Sequence, residues 1–209
     1  MKVKICGVTN AEDATWAASL GADYVGVNFW PESPRKVSAA MAKKVTEALP
    51  PFVVPVGVFV NAPAAEVAKT VSAAGLRAVQ LHGDEDDAYM VALRAALPAG
   101  TSIIKAFRVK GRATLDHAAD CPADYVLLDA HVEVQPGGTG DTWDWDLAAD
   151  TALLARPVFL AGGLTPDNVA AAIEKVKPFA VDVASGVERL PRRKDYAKMK
   201  AFIESVKSS

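Results

Sequence analysis

Side chains able to do acid, base or anion-binding chemistry gather just after short apolar runs in this chain. Cys6 closes KVKIC and is followed by Gly7, Asp129 closes DYVLLD, His82 follows VQL, and Asp182 sits inside FAVDVA. AGGLTPDN carries Gly162 and Gly163, ASGVE carries Ser185 and Gly186, and NFWPESPRKVS holds Arg35 between Pro34 and Lys36. A thiolate can take a proton or attack a carbonyl when nearby positive charge or a helix N-terminus lowers its pKa. A carboxyl at the end of a buried strand can serve as a general acid or base. Glycines let backbone N–H groups approach an anion closely, and an arginine presents a planar fork to a carboxylate.

Each of these residues also has a plainer reading. Cys6 can be a buried small hydrophobe, Asp129 a loop brace, His82 a hydrogen-bonding loop residue and Arg35 a surface cation. Asp182 lies two residues before the end of its run, which suits a supporting place deeper in the fold as well as catalysis. Cys121 precedes Pro122 ahead of an apolar run and reads as structural. His117 and His131 make no ligand set with His82, and no second cysteine or histidine stands at metal spacing to either thiol, so no metal is expected.

The elements that must hold these side chains alternate from end to end. Apolar, β-branched runs fall near 2–6, 23–28, 53–59, 77–81, 102–107, 124–129, 157–161 and 179–184. Alanine-rich helical patterns follow near 11–20, 38–49, 63–74, 85–97, 113–119, 146–155, 166–176 and 195–206. Asn10, Ser38 and Thr165-Pro166 are the expected helix starts, and Gly21, Gly75 and Gly100 the expected stops. Eight strand–helix units predict a (β/α)₈ barrel, compact at roughly 26 residues per unit. An open doubly wound sheet is the rival, but residues 5–10 read ICGVTN, without its dinucleotide signature. No linker cuts the chain, so one domain over 1–209 is expected.

In such a barrel the chemistry belongs at the carboxyl ends of the strands. That rule selects Cys6, Asn28, Asn61, His82, Arg108, Asp129, the Gly162-Gly163 pair and the Ser185-Gly186 pair. The two glycine pairs end consecutive strands, where barrels commonly hold a phosphate. The connections after strands 2 and 6 are the long ones, the second with the glycine content of a lid. Trp30, Trp143 and Trp145 lie in or beside them and offer walls for a flat ring, whereas Trp16 sits in a helix and reads as packing.

Composition narrows the partners. The 209 residues are 51% hydrophobic and 23% charged with a net charge of −2, so no basic footprint for nucleic acid appears. The longest apolar run, at 51–60, is too short for a membrane span and is interrupted by Pro55. Two cysteines are too few for a disulfide framework, which points to a reducing cytoplasm.

Jointly, the segments at 4–7 (KICG), 26–37 (GVNFWPESPRKV), 56–61 (VGVFVN), 80–85 (QLHGDE), 127–130 (LLDA), 137–145 (GGTGDTWDW), 161–169 (AGGLTPDNV) and 183–188 (VASGVE) resemble the phosphoribosylanthranilate isomerase family of tryptophan biosynthesis. They occur in that family's order and cover essentially the whole chain. The resemblance implies a (β/α)₈ barrel without metal or organic cofactor that performs an Amadori rearrangement of a phosphorylated small molecule, as a monomer or homodimer. It implies Asp129 as general acid, Cys6 as general base and Arg35 as clamp for the anthranilate carboxylate. Gly162, Gly163, Ser185 and Gly186 resemble the phosphate cradle, and His82 and Asp182 match supporting positions. The chain departs from the family pattern at Asp141 after GGTG and at RLPRRKD, where a proline-glycine turn is common.

Two other readings stand beside it: another phosphate-binding barrel enzyme, such as an aldolase or an isomerase of a related phosphoribosyl intermediate, and a non-catalytic barrel that binds a phosphometabolite. A Schiff-base aldolase needs a lysine inside the barrel, for which Lys105 is the candidate. A non-catalytic phosphometabolite sensor would not need both an acid and a base.

Overall fold

The computed structural model describes residues 1–109, 112–129, 154 and 156–209. Eight parallel strands close into a barrel in chain order: β1 Lys2–Ile5, β2 Tyr24–Asn28, β3 Val54–Phe59, β4 Ala78–Leu81, β5 Ser102–Arg108, β6 Tyr125–Asp129, β7 Val158–Ala161 and β8 Ala180–Val183. β8 pairs back on β1, with Lys4 opposite Asp182. The described helices are α1 Ala11–Leu20, α2 Ala39–Glu47, α3 Ala64–Ala74, α4 Asp87–Ala96, α5 Arg112–Asp120, α6 Val169–Val176 and α7 Tyr196–Ser208. A short hairpin, β9 Glu188–Leu190 and β10 Arg193–Lys194, follows β8. The expected barrel is the observed one. The helix expected near 146–155, apart from residue 154, and His131, Asp141, Trp143 and Trp145 lie outside the described residues.

Alternation along each strand divides the sheet into two faces. Val3, Ile5, Val25, Val27, Leu128 and Val181 pack outward in the large core shared with the helices. Val56, Ala78, Ile104, Ala106, Leu127, Phe159, Ala161 and Ala180 form a second cluster inside the barrel. Tyr24 and Tyr125 meet Phe159 edge-on, at 5.1 and 5.7 Å between ring centroids, and fill the amino end. Trp16 packs edge-on against Tyr196, joining α1 to α7 as expected of a packing residue.

The caps explain most helix boundaries. Asn10 and Ser38 accept from the N–H groups of Asp13 and Met41, and Gly21 and Gly75 end their helices in the left-handed conformation. Two expectations fail. Pro166 does not open a helix: residues 166–168 form a turn, and α6 starts at Val169 after Asn168. The Thr165 N–H donates to Asn168 Oδ1 at 2.8 Å and the Asp167 N–H to Thr165 Oγ1 at 3.3 Å, a reciprocal cap that closes one turn ahead of α6. Gly100 does not end α4, because Leu97, restricted by the following Pro98, is already extended. Among the described residues, no helix is long and apolar enough to cross a membrane.

Candidate active site

Cys6, Gly7, Asn28, Arg35, His82, Asp129, Gly162, Gly163, Asp182 and Ser185 all line one cavity of about 340 Å³ at the carboxyl ends of the strands. The strand-end rule therefore brings together nearly every residue it selected. Asn61 and Arg108 line a neighbouring cleft instead. Gly186 is not among the cavity-lining residues. A Cβ there would sit 2.0 Å from the Leu164 carbonyl oxygen, so its part is close packing of the loops after β7 and β8. Trp30 does not line the cavity either, so the expected aromatic wall is not formed by it.

Cys6 is held at the top of β1 by its N–H, which donates to the Val183 carbonyl at 2.8 Å. Gly26 on β2 makes room for it, since a Cβ there would lie 2.9 Å from the thiol sulfur and 3.3 Å from Lys4 Cε. Burial pushes the Cys6 thiol above its ordinary value; Lys4 and Lys194 oppose that rise, and Asp182 adds to it. Lys4 is fully buried on the same inner face, with Nζ 2.9 Å from Asp182 Oδ1. Burial works against its charge, but Asp182, with Cys6 behind it, holds Lys4 above its usual value.

Asp129 faces the cavity from the end of β6, with its Oδ2 3.5 Å from His82 Nε2. The other ring nitrogen of His82 lies 2.8 Å from the amide of buried Gln80, two residues back on the same face. Glu85 orders the loop that carries His82: it accepts from the N–H groups of Asn61 and Gly83 at 2.7 and 2.9 Å and pairs with Lys105 at 2.8 Å. Lys105 thus corrects the aldolase expectation. It alternates with the inward-facing Ile104 and Ala106, so it points to the helix side of the sheet. Lys4 is the inward-facing lysine, and the sequence reading passed over it.

Arg35 crosses above Gly7, where a Cβ would lie 2.4 Å from Arg35 Cδ and where φ is +72°. Its guanidinium is paired side-on with Glu188, Nε to Oε1 at 2.8 Å and Nη2 to Oε2 at 2.6 Å. Burial pushes the Glu188 carboxyl up, but Arg35 and Lys194 outweigh it and hold the group below its usual value. Gly162 and Gly163 both take positive φ, +98° and +57°, which turns the chain sharply at the mouth. Asn168 secures that turn by donating to the Gly163 carbonyl at 3.1 Å.

A parallel eight-stranded barrel with a thiol, a carboxyl and a glycine turn around one cavity defines the class: a (β/α)₈-barrel protein whose cavity at the carboxyl face gathers groups of the kinds that acid–base chemistry uses. The family model "N-(5'phosphoribosyl)anthranilate (PRA) isomerase" matches residues 3–205, and the chain belongs to that family. A curated relative, N-(5'-phosphoribosyl)anthranilate isomerase of Geobacter sulfurreducens, is 47% identical over 99% of this chain and 98% of its own. The crystal structure of phosphoribosyl anthranilate isomerase from Thermotoga maritima superposes with a TM-score of 0.89 at 40% identity, covering 100% of both chains. A crystal structure of a phosphoribosyl anthranilate isomerase in complex with reduced 1-(o-carboxyphenylamino)-1-deoxyribulose 5-phosphate gives a TM-score of 0.87 at 38% identity, again over 100% of both chains.

Proposed function

We propose that this chain is the isomerase of tryptophan biosynthesis that rearranges N-(5′-phosphoribosyl)anthranilate to 1-(2-carboxyphenylamino)-1-deoxyribulose 5-phosphate. The observation that carries the reading is the single cavity lined by Cys6, Asp129 and the Gly162-Gly163 turn. Asp129 donates a proton to the furanose ring oxygen, the C1′–O bond breaks, and a Schiff base forms. The Cys6 thiolate then removes the proton from C2′, and the resulting enolamine tautomerises to the ketone. Gly162, Gly163 and Ser185 hold the phosphate, with Gly186 supporting their loops, and the Arg35 guanidinium meets the anthranilate carboxylate. His82 orients Asp129, and Asp182 acts through Lys4.

The chain is read as one catalytic unit over 1–209, working in the cytoplasm on a small phosphorylated substrate. Its two cysteines, both buried and unpaired, suit a reducing compartment. All the proposed site residues come from one chain, so a monomer or a homodimer serves equally.

The test supplies phosphoribosylanthranilate made in situ and follows the loss of its fluorescence. Turnover without added metal, unchanged by a chelator, is expected; no turnover would overturn the reading. The aldolase reading now turns on Lys4, and borohydride trapping with a ketose phosphate separates the two. The isomerase reading expects no covalent adduct.

A further inference from the structure

The side-on pairing of Arg35 with Glu188 leaves a carboxylate substrate only the other edge of the guanidinium. Nε and one of the two N–H groups of Nη2 are taken, and among the described residues no hydrogen bond engages Nη1. A second carboxylate would also meet the charge of Glu188, were it not for Lys194. That lysine is fully buried, 3.2 Å from Glu188 Oε1, and its Nζ also donates to the Ala184 carbonyl at 2.8 Å. With all three charged, Arg35, Glu188 and Lys194 together carry one net positive charge, and Arg35 is the member that lines the cavity.

Glu188 and Lys194 belong to the β9–β10 hairpin, and the tip of that hairpin reaches the same arginine by another route. Arg192 occupies the second turn position at φ +73°, a conformation that glycine adopts without strain. Its guanidinium donates from Nη1 to the carbonyls of Pro34 and Lys36, at 2.8 and 3.1 Å, on either side of Arg35. Its own carbonyl accepts from the Thr9 hydroxyl at 2.7 Å, tying the tip to the connection after β1. One hairpin thus grips Arg35 twice, through the guanidinium and through the flanking backbone.

We propose that Glu188 and Arg192 are positioning residues that fix Arg35 so that its free Nη1–Nη2 edge, rather than its side-on edge, recognises the carboxylate of the substrate. The inference rests on Arg35 being the carboxylate clamp.

The experiment compares N-(5′-phosphoribosyl)anthranilate with N-(5′-phosphoribosyl)aniline, which lacks the carboxylate, as substrates of wild type, Arg35→Ala, Glu188→Gln and Arg192→Gly. Arg35→Ala is expected to raise KM for the anthranilate compound about tenfold or more, the worth of a hydrogen bond to a charged group, and to leave KM for the aniline compound unchanged. Glu188→Gln and Arg192→Gly should raise KM in the same selective way, by less, with kcat retained. Arg192→Gly relaxes an exposed turn and keeps the test open if Glu188→Gln does not fold. An equal effect of Arg35→Ala on both substrates would remove the clamp reading itself. A selective Arg35→Ala effect with hairpin variants that leave KM unchanged, or that shift both substrates alike, would overturn the positioning inference alone.

Discussion

Lys4 and Lys105 are both buried lysines on barrel strands, and each lies against a buried carboxylate. Lys4 Nζ is 2.9 Å from Asp182, and Lys105 Nζ is 2.8 Å from Glu85. They differ in the face of the sheet they occupy. Lys105 lies on the helix side and donates to the Gly83 carbonyl at 2.7 Å, so its pair braces the loop after β4. Lys4 points into the barrel one alternation below Cys6, so its pair sets the charge around the proposed base. The same ionic contact therefore serves as scaffold on one face and as part of the site on the other.

The largest test of this contrast removes one partner from each pair. Glu85→Ala and Asp182→Ala each strand a buried ammonium, and each should cost about 3–5 kcal/mol in urea unfolding. Replacing both partners separates the roles, because well-packed apolar pairs often restore stability. Lys105→Met with Glu85→Leu should recover only part of the loss, because the Asn61 and Gly83 N–H groups lose their acceptor, and should lower turnover less than the inner double replacement. Lys4→Met with Asp182→Leu should recover stability while turnover stays low; full turnover there would place the inner pair with the scaffold.

A smaller effect concerns pH. A thiol whose pKa is raised is protonated below that value, so its base form grows as pH rises. Alkylation of Cys6 by iodoacetamide, and kcat/KM with it, should climb from neutral into alkaline pH. Lys4→Met removes the largest influence opposing the rise and should move both profiles to higher pH, while Lys105→Met leaves them in place. A profile unmoved by Lys4→Met would sever the inner pair from the base. The smallest effect belongs to the exposed pair Lys43–Glu47, 3.9 Å apart on α2, where Lys43→Ala should change stability by within about 0.5 kcal/mol.

Much of the site was legible because one rule, chemistry at the carboxyl ends of barrel strands, selects a few residues from many. The same alternation that places Cys6 inward also places Lys4 there, two residues earlier. It also turns Lys105 away from Ile104 and Ala106, so period-2 counting on β1 and β5 would have found both. Glu188 carries no such signal. Its partnership with Arg35 spans 153 residues and exists only once β8 and the connection after β2 are neighbours. The start of α6 was expected three residues early: Thr165 does cap a turn, exchanging hydrogen bonds with Asn168 and Asp167, but the regular helix begins only at Val169.

The most direct measurement of the central claim is the turnover of phosphoribosylanthranilate by Cys6→Ala and Asp129→Asn, with thermal melts beside it. The account predicts a fall of about 10²–10⁴-fold or more for each, the range for a positioned acid or base, with melting close to wild type. Either variant turning over within a fewfold of wild type would contradict it.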